Sequence, residues 1–232
     1  MEMSKLSYIQ NLISQGEHQT LDFKFGITDS RKIARSMAAF SNAEGGTLLI
    51  GVKDNGAVAG VRSEEEYYMI EAAASMYCKP EIPFEAKSYN EEGKTVLEIL
   101  IPKNDQEIHY AQDDQGKWLE YVRIDDQNIL VNNIWIRVWK RGRLPKGTFI
   151  TFTDHERLLL SSLLAKGNIT LSAFCKLAAI PRKKAENILV NLISLKVVNM
   201  IFTDQGVLYG LVDEGQTRKM VEKENNTKIT KV

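Results

Sequence analysis

The sequence predicts an α+β fold divided between two domains, and three observations carry that expectation. Strand-period and helix-period apolar patterns are interleaved through the first 143 residues. A short basic segment containing Gly and Pro follows, the composition of a domain boundary. Three helical patterns and one hairpin pattern then occupy 153–212. With 232 residues, 44% of them hydrophobic, the chain can bury two modest cores.

In the first domain, 1–143, Tyr8, Ile9, Leu12 and Ile13 have helical spacing, and Gly16 ends that helix. Thr20–Phe25 alternates apolar and polar residues, as a half-buried strand does. Asp29 or Ser30 caps a helix whose apolar positions are Ile33, Ala34, Met37, Ala38 and Phe40. Gly45-Gly46 stops it, and the continuous apolar run Thr47–Val52 reads as a strand buried on both faces. The turn signal Asp54-Asn55-Gly56 predicts a return strand over 57–61. Ser63–Glu66 is a capping-box pattern opening a helix to about Met76. Phe84–Tyr89 and Thr95–Ile101 form a predicted hairpin, Trp118–Ile124 a strand, and Asn132–Arg141 a helix leading out of the domain.

The linker, 144–152, belongs to a basic stretch that includes Arg137, Lys140, Arg141, Arg143 and Lys146. Thr153-Asp-His-Glu156 is a second capping box, opening an amphipathic helix that ends at Gly167. Leu171–Ala179 gives a short second helix. Pro181 suits the first position of a third, with Ala185, Ile188, Leu189 and Leu192 as its core-facing stripe. Val197–Thr203 and Val207–Val212 flank Asp204-Gln-Gly206 as a hairpin. Three helices and a hairpin make a winged helix-turn-helix plan. Residues 213–232 are polar and aperiodic and are expected to be disordered.

Composition narrows the function classes. No apolar run reaches the length of a membrane span, so no membrane partner is expected. The N-terminus lacks a signal-peptide pattern, and Cys78 and Cys175 sit in apolar surroundings without disulfide or zinc spacing; a cytoplasmic location is expected. His18, His109 and His155 are scattered and form no metal-ligand spacing. The formal net charge of zero is a cancellation. Residues 1–136 hold 13 basic and 22 acidic side chains, and residues 137–212 hold 12 basic and 4 acidic. The tail, 213–232, adds a net of +1. The basic surplus on the second domain and linker is where a nucleic-acid surface is expected, and the acidic first domain is not the main phosphate-binding surface.

In a helix-turn-helix the second helix of the pair reads the major groove from its N-terminal residues. Here that helix begins Pro181-Arg-Lys-Lys184, and Lys184, Asn187, Asn191 and Ser194 lie opposite its apolar stripe. Lys and Arg attract phosphate, and Asn can pair with an adenine edge. The expected DNA-contact set is Arg182, Lys183, Lys184, Asn187 and Asn191, with Arg141 and Arg143 from the linker. A solvated basic face or a protein-binding winged helix is the alternative reading of the same residues.

In the first domain, Glu17-x-x-x-Leu21-Asp22-Phe23-Lys24 and Phe40-Ser41-Asn42-Ala43-Glu44-Gly45-Gly46-Thr47-Leu48-Leu49-Ile50-Gly51-Val52 resemble the AlbA_2 domain of the Schlafen family. The segment Glu120-Tyr-Val-Arg123-Ile-Asp-Asp-Gln-Asn128 resembles that domain's closing strand and turn, and the resemblance covers about 10–143. It implies a DNA-binding or regulatory protein, since bacterial members are often joined to a helix-turn-helix. Read physically, Gly45, Gly46, Gly51 and Asn42 shape the helix-to-strand junction as a structural motif. No Gly-Lys-Ser or Gly-Lys-Thr follows the glycines, so this is not a phosphate-binding P-loop.

The resemblance also implies a carboxylate set. Some animal Schlafen proteins are RNA endonucleases with three acidic side chains, which fall on Glu17, Asp22 and Asp54 by motif match. Such a cluster holds Mg²⁺ or Mn²⁺ and activates water against phosphate. Asp22 stands where the family pattern more usually has glutamate, and Asp54 is explained equally by its turn. Three readings therefore stand. The preferred one is a transcriptional regulator that binds double-stranded DNA as a homodimer and needs no cofactor. The others are a metal-dependent ribonuclease acting on RNA and a protein-interaction module.

Overall fold

The structure, a computed structural model, describes residues 6–142, 152–215 and 217. Arg143, Lys146 and most of the expected linker and tail lie outside the described residues. The chain divides into two compact units, Met1–Val131 and Asn132–Val232.

In the first unit, helix α1 (Tyr8–Ile13) has the capping box Ser7/Gln10 at its start. Strand β1 (Leu21–Lys24) is joined through helix α2 (Ser30–Ser41) to strand β2 (Gly46–Ile50), and the two strands pair in parallel. Asp29 caps α2 by accepting the Arg31 N–H. Eight residues of α2 are buried, on more than one face, because small side chains such as Ala34, Ala38 and Ala39 let it pack on several neighbours at once. Those neighbours are helix α3 (Glu65–Ser75) and, from a second sheet, strands β6 (Tyr110–Gln112) and β7 (Trp118–Ile124). The hairpin β4 (Glu85–Glu91) and β5 (Lys94–Ile101) extends the first sheet in the order β1-β2-β5-β4. The second sheet is completed by β3 (Cys78–Lys79) and β8 (Gln127–Leu130), in the order β3-β6-β7-β8. One core surrounds α2, and a smaller one (Ile9, Leu21, Phe23, Leu49, Val52, Val96) lies under α1. Cys78 is buried, which pushes its thiol up to about 12; it donates to the Ala34 carbonyl.

Two local expectations change. Residues 57–61 form no strand; only Val52 and Val58 make an isolated bridge, because the chain turns away at Gly60. The β1 strand is not half-buried, since Leu21, Asp22 and Phe23 are all covered.

The second unit opens with helix α4 (Asn133–Arg141), capped by Asn132. A boundary near residue 143 would leave this helix with the first unit, but the division falls after Val131. The physical reason is its apolar face: Ile134 and Val138 join the core of the second unit, and Asn132 donates to the Tyr209 hydroxyl. Helix α5 (Asp154–Lys166) carries the Thr153/Glu156 capping box, followed by strand β9 (Asn168–Thr170), helix α6 (Leu171–Ala178) and helix α7 (Arg182–Ser194). Pro181 is the N-cap of α7 and not its first helical residue. Strands β10 (Val198–Thr203) and β11 (Gly206–Leu211) form a hairpin, and β9 adds to it in the antiparallel order β10-β11-β9. The core holds Leu159, Leu163, Phe174, Ile188, Leu189, Leu192 and Tyr209.

Candidate functional site

The motif residues of the first unit converge on backbone, not on an open cleft. Asn42, the residue after α2, is buried; its amide donates to the carbonyls of His109 and Tyr121 at 2.8 Å each. Its Oδ1 accepts the His109 N–H at 2.8 Å. All three partners belong to the second sheet or the segment entering it, so one side chain pins that sheet to the helix end. The His109 ring is filled in turn, with Nδ1 against the Pro80 carbonyl and Nε2 against Asn104. A Cβ on Gly46 would stand 2.4 Å from the Phe40 ring, and one on Gly51 2.9 Å from the backbone of Gly60 and Val61. Gly51 also has φ +94°, a conformation side-chain-bearing residues rarely adopt. Gly45 likewise has positive φ and touches the backbone after β5. Gly45 and Gly51 are where chain segments meet backbone to backbone, and Gly46 makes room for the Phe40 ring.

The carboxylates divide. Glu17 and Asp22 come together: Glu17 accepts the Phe23 N–H at 2.8 Å, and its carboxyl pKa is raised, chiefly by desolvation and then by hydrogen bonding to Asp22. Asp22 is 3% exposed and is held by two cations, Lys24 at 2.6 Å and Arg123 at 3.4 Å. Arg123, also buried, donates to the carbonyls of His18 and Leu21 and to Asn128 Oδ1, and it lies over the Phe40 ring. Asp54 does not join them. It is exposed, in a turn closed by the Gly56 N–H on the Lys53 carbonyl, and makes no hydrogen bond or ion pair with either carboxylate.

Among the described residues no group of three or more His, Cys, Asp or Glu side chains is arranged to hold a metal ion. The three-ligand set expected from Glu17, Asp22 and Asp54 is therefore corrected to a buried Asp22–Lys24–Arg123 cluster with Glu17 beside it. Its donors face cations of the protein itself, which does not fit a divalent ion. The signal for this was present in the sequence: Arg123 is the only Arg in the second sheet's strands, in a run that is otherwise half apolar.

The second unit places its cations along two helices. Arg182 and Lys183 open α7, and Arg137, Lys140 and Arg141 lie on α4. Two shallow depressions run between these helices. One, of about 630 Å³, is bordered by Arg137, Arg182, Lys183 and Asn187; the other, of about 590 Å³, by Arg137, Lys140, Arg141 and Asn191. Of the expected DNA-contact residues, Arg182 pairs with Glu186 at 3.0 Å, and Lys184 is turned to His155 at 2.8 Å. The amide oxygens of Asn187 and Asn191 accept from Arg137 and Arg141 respectively. Arg143 lies outside the described residues.

The face of α7 opposite its core stripe is thus covered in part by α4, with Lys183 and Asn187 still exposed on it. Lys183, Asn187, Val190 and Ser194 share that face by helical spacing, yet Val190 is only 2% exposed. The side of α4 that meets it carries Ile134, Arg137, Val138 and Arg141, spaced i, i+3, i+4 and i+7. Burying Ile134 and part of Val138 is worth about 2–4 kcal/mol, with the exposed Arg137–Asn187 and half-buried Arg141–Asn191 bonds adding less. An apolar Val190 amid the polar side of α7 was the sequence signal for this cover.

Comparison with known proteins places the first unit. The family model described as Schlafen, AlbA_2 matches residues 17–132, half of the chain. Curated protein sequences give no match. Among solved structures, the DIP2311 protein from Corynebacterium diphtheriae is similar at 19% identity and a TM-score of 0.42, over 63% of this chain and 34% of that one. The N-terminal domain of a RecG-related protein from Nitrosomonas europaea is similar at 17% identity and a TM-score of 0.31, over 64% of this chain and 92% of that one. The chain thus spans about a third of the length of the first.

Proposed function

We propose, because this chain belongs to the Schlafen, AlbA_2 family, that its function is nucleic-acid-related and that its second unit is a winged helix-turn-helix binding duplex DNA. The regulatory role, double-stranded DNA as the partner, and a homodimer reading paired half-sites are parts of this proposal. The element order α5-β9-α6-α7 followed by the β10–β11 hairpin supports the winged-helix reading. The observation that carries the DNA reading is the gathering of Arg137, Lys140, Arg141, Arg182 and Lys183 along α4 and α7. The first unit holds a surplus of acidic side chains and buries its motif residues, so phosphate contact falls to the second.

Phosphate contacts release counterions, so affinity for duplex falls with salt in proportion to their number. Titrating a fluorescent duplex at several salt concentrations tests the reading. A log–log slope of about −3 to −5 is expected from four or five contacts, and Lys183→Glu should make it shallower by about 1. A slope near zero would contradict it. Size measurement by sedimentation, free and with a two-half-site duplex, checks the dimer.

A further inference from the structure

We propose that α4 is an internal mask: it lies closed on the outward face of α7 and leaves that face when duplex DNA takes it. The inference rests on the winged-helix, duplex-binding reading above.

A helix enters the major groove only if one long side of it projects from the protein. The side of α7 that faces away from the core is exposed at Lys183 and Asn187 but does not project along its whole length. Val190 is buried there, and the amide oxygens of Asn187 and Asn191, the two groups suited to reading a base edge, are taken by Arg137 and Arg141. Glu186, on the flank of the same face, pairs with Arg182 within α7 and with Arg137 of α4 at 3.9 Å. The mask therefore imitates a ligand. It offers α7 cationic donors at the positions where α7 would otherwise present its own hydrogen-bonding groups.

The cover is weakly fastened for a core helix. Only Ile134 is buried among the nine residues of α4, and Val138 is half-buried. The polar bonds to α7 come from side chains at or near the surface. Opening exposes Val190 and frees both Asn side chains together. Duplex affinity is then the affinity of the open form scaled by its population.

Hydrogen exchange on the full chain, with and without duplex, reads the direction of the change. The mask predicts that duplex speeds exchange of the α4 amides while protecting those of α7. A double variant, Ile134→Ser with Val138→Ser, should lose α4 protection without duplex, keep α5–α7 protected, and bind duplex at least tenfold more tightly. Binding by the wild-type chain with α4 more protected would overturn the mask and leave the duplex reading standing, with α4 a fixed part of the contact surface. Equal affinity of the wild type and the opened variant would also overturn it. Duplex binding by neither protein would end the duplex reading, and the mask with it.

Discussion

The two units handle charge in opposite ways. The first buries Asp22, Arg123, Glu66, Glu91 and Glu98, with Asn42 and His109, and gives each of them a partner inside the unit. Glu98, for example, accepts from the Tyr8 hydroxyl at 2.6 Å, and that hydrogen bond and partial burial push the phenol up to about 12. Among its described residues the second buries one acid, the helix-capping Glu156, and leaves Arg182, Lys183 and Lys140 exposed. Polar side chains that look like a site in the first unit are consumed by folding. The cations Arg182, Lys183 and Lys140 of the second lie where a partner can reach them. A motif's chemistry is therefore decided by what its residues touch, and the same residue types give a scaffold in one place and a surface in the other.

If this contrast is right, the largest stability effects come from motif residues of the first unit. Arg123→Met strips the guanidinium from buried Asp22 and from two carbonyls, and should cost about 3–5 kcal/mol in chemical denaturation. A cost below about 1 kcal/mol would place Arg123 outside the scaffold. Asn42→Ala leaves three buried backbone groups without partners and should cost about 2–4 kcal/mol by the same measurement. A variant that kept full stability while losing nucleic-acid binding would turn Asn42 from a scaffold residue into a contact.

Glu17→Gln should have the smallest effect, visible as a pH dependence. The folded state raises the Glu17 carboxyl above its ordinary 4.5, so folding favours the protonated form. Its contribution is fully present below the unfolded value and is lost as pH rises through the folded one. Gln imitates the protonated side chain. The variant should therefore match the wild type in acid and gain on it as pH climbs above about 4.5, in urea midpoints read against pH. A constant difference at all pH values would contradict the burial of Glu17 against Asp22.

Much of the fold was legible because it is written locally. The Thr153/Glu156 capping box, the stripe of α7 and the two hairpins are set by residues within a few positions of one another. The strands β3, β6 and β8 were not: β3 has two residues and pairs with β6 more than thirty positions on, and β6 and β8, though paired with nearby β7, have only three and four residues, too few to show a period. The same distinction runs through the candidate site. The cationic start of α7 can be read from Arg182-Lys-Lys184, whereas its cover by α4 depends on Ile134 and Arg137 meeting residues about fifty positions away. Asp54 resembled a ligand by order along the chain, and only the turn geometry separates it from Glu17 and Asp22.

Paired charge reversals test the contrast between the units most directly. Arg182→Glu with Lys183→Glu changes the second unit, and Lys53→Glu with Lys87→Glu changes two exposed lysines of the first. Duplex affinity of each is measured across a salt series. The second-unit pair should bind at least tenfold more weakly with a slope shallower by about 2, and the first-unit pair should leave the slope unchanged. Loss of affinity and slope in the first-unit pair alone would contradict the assignment of phosphate contact to the second unit.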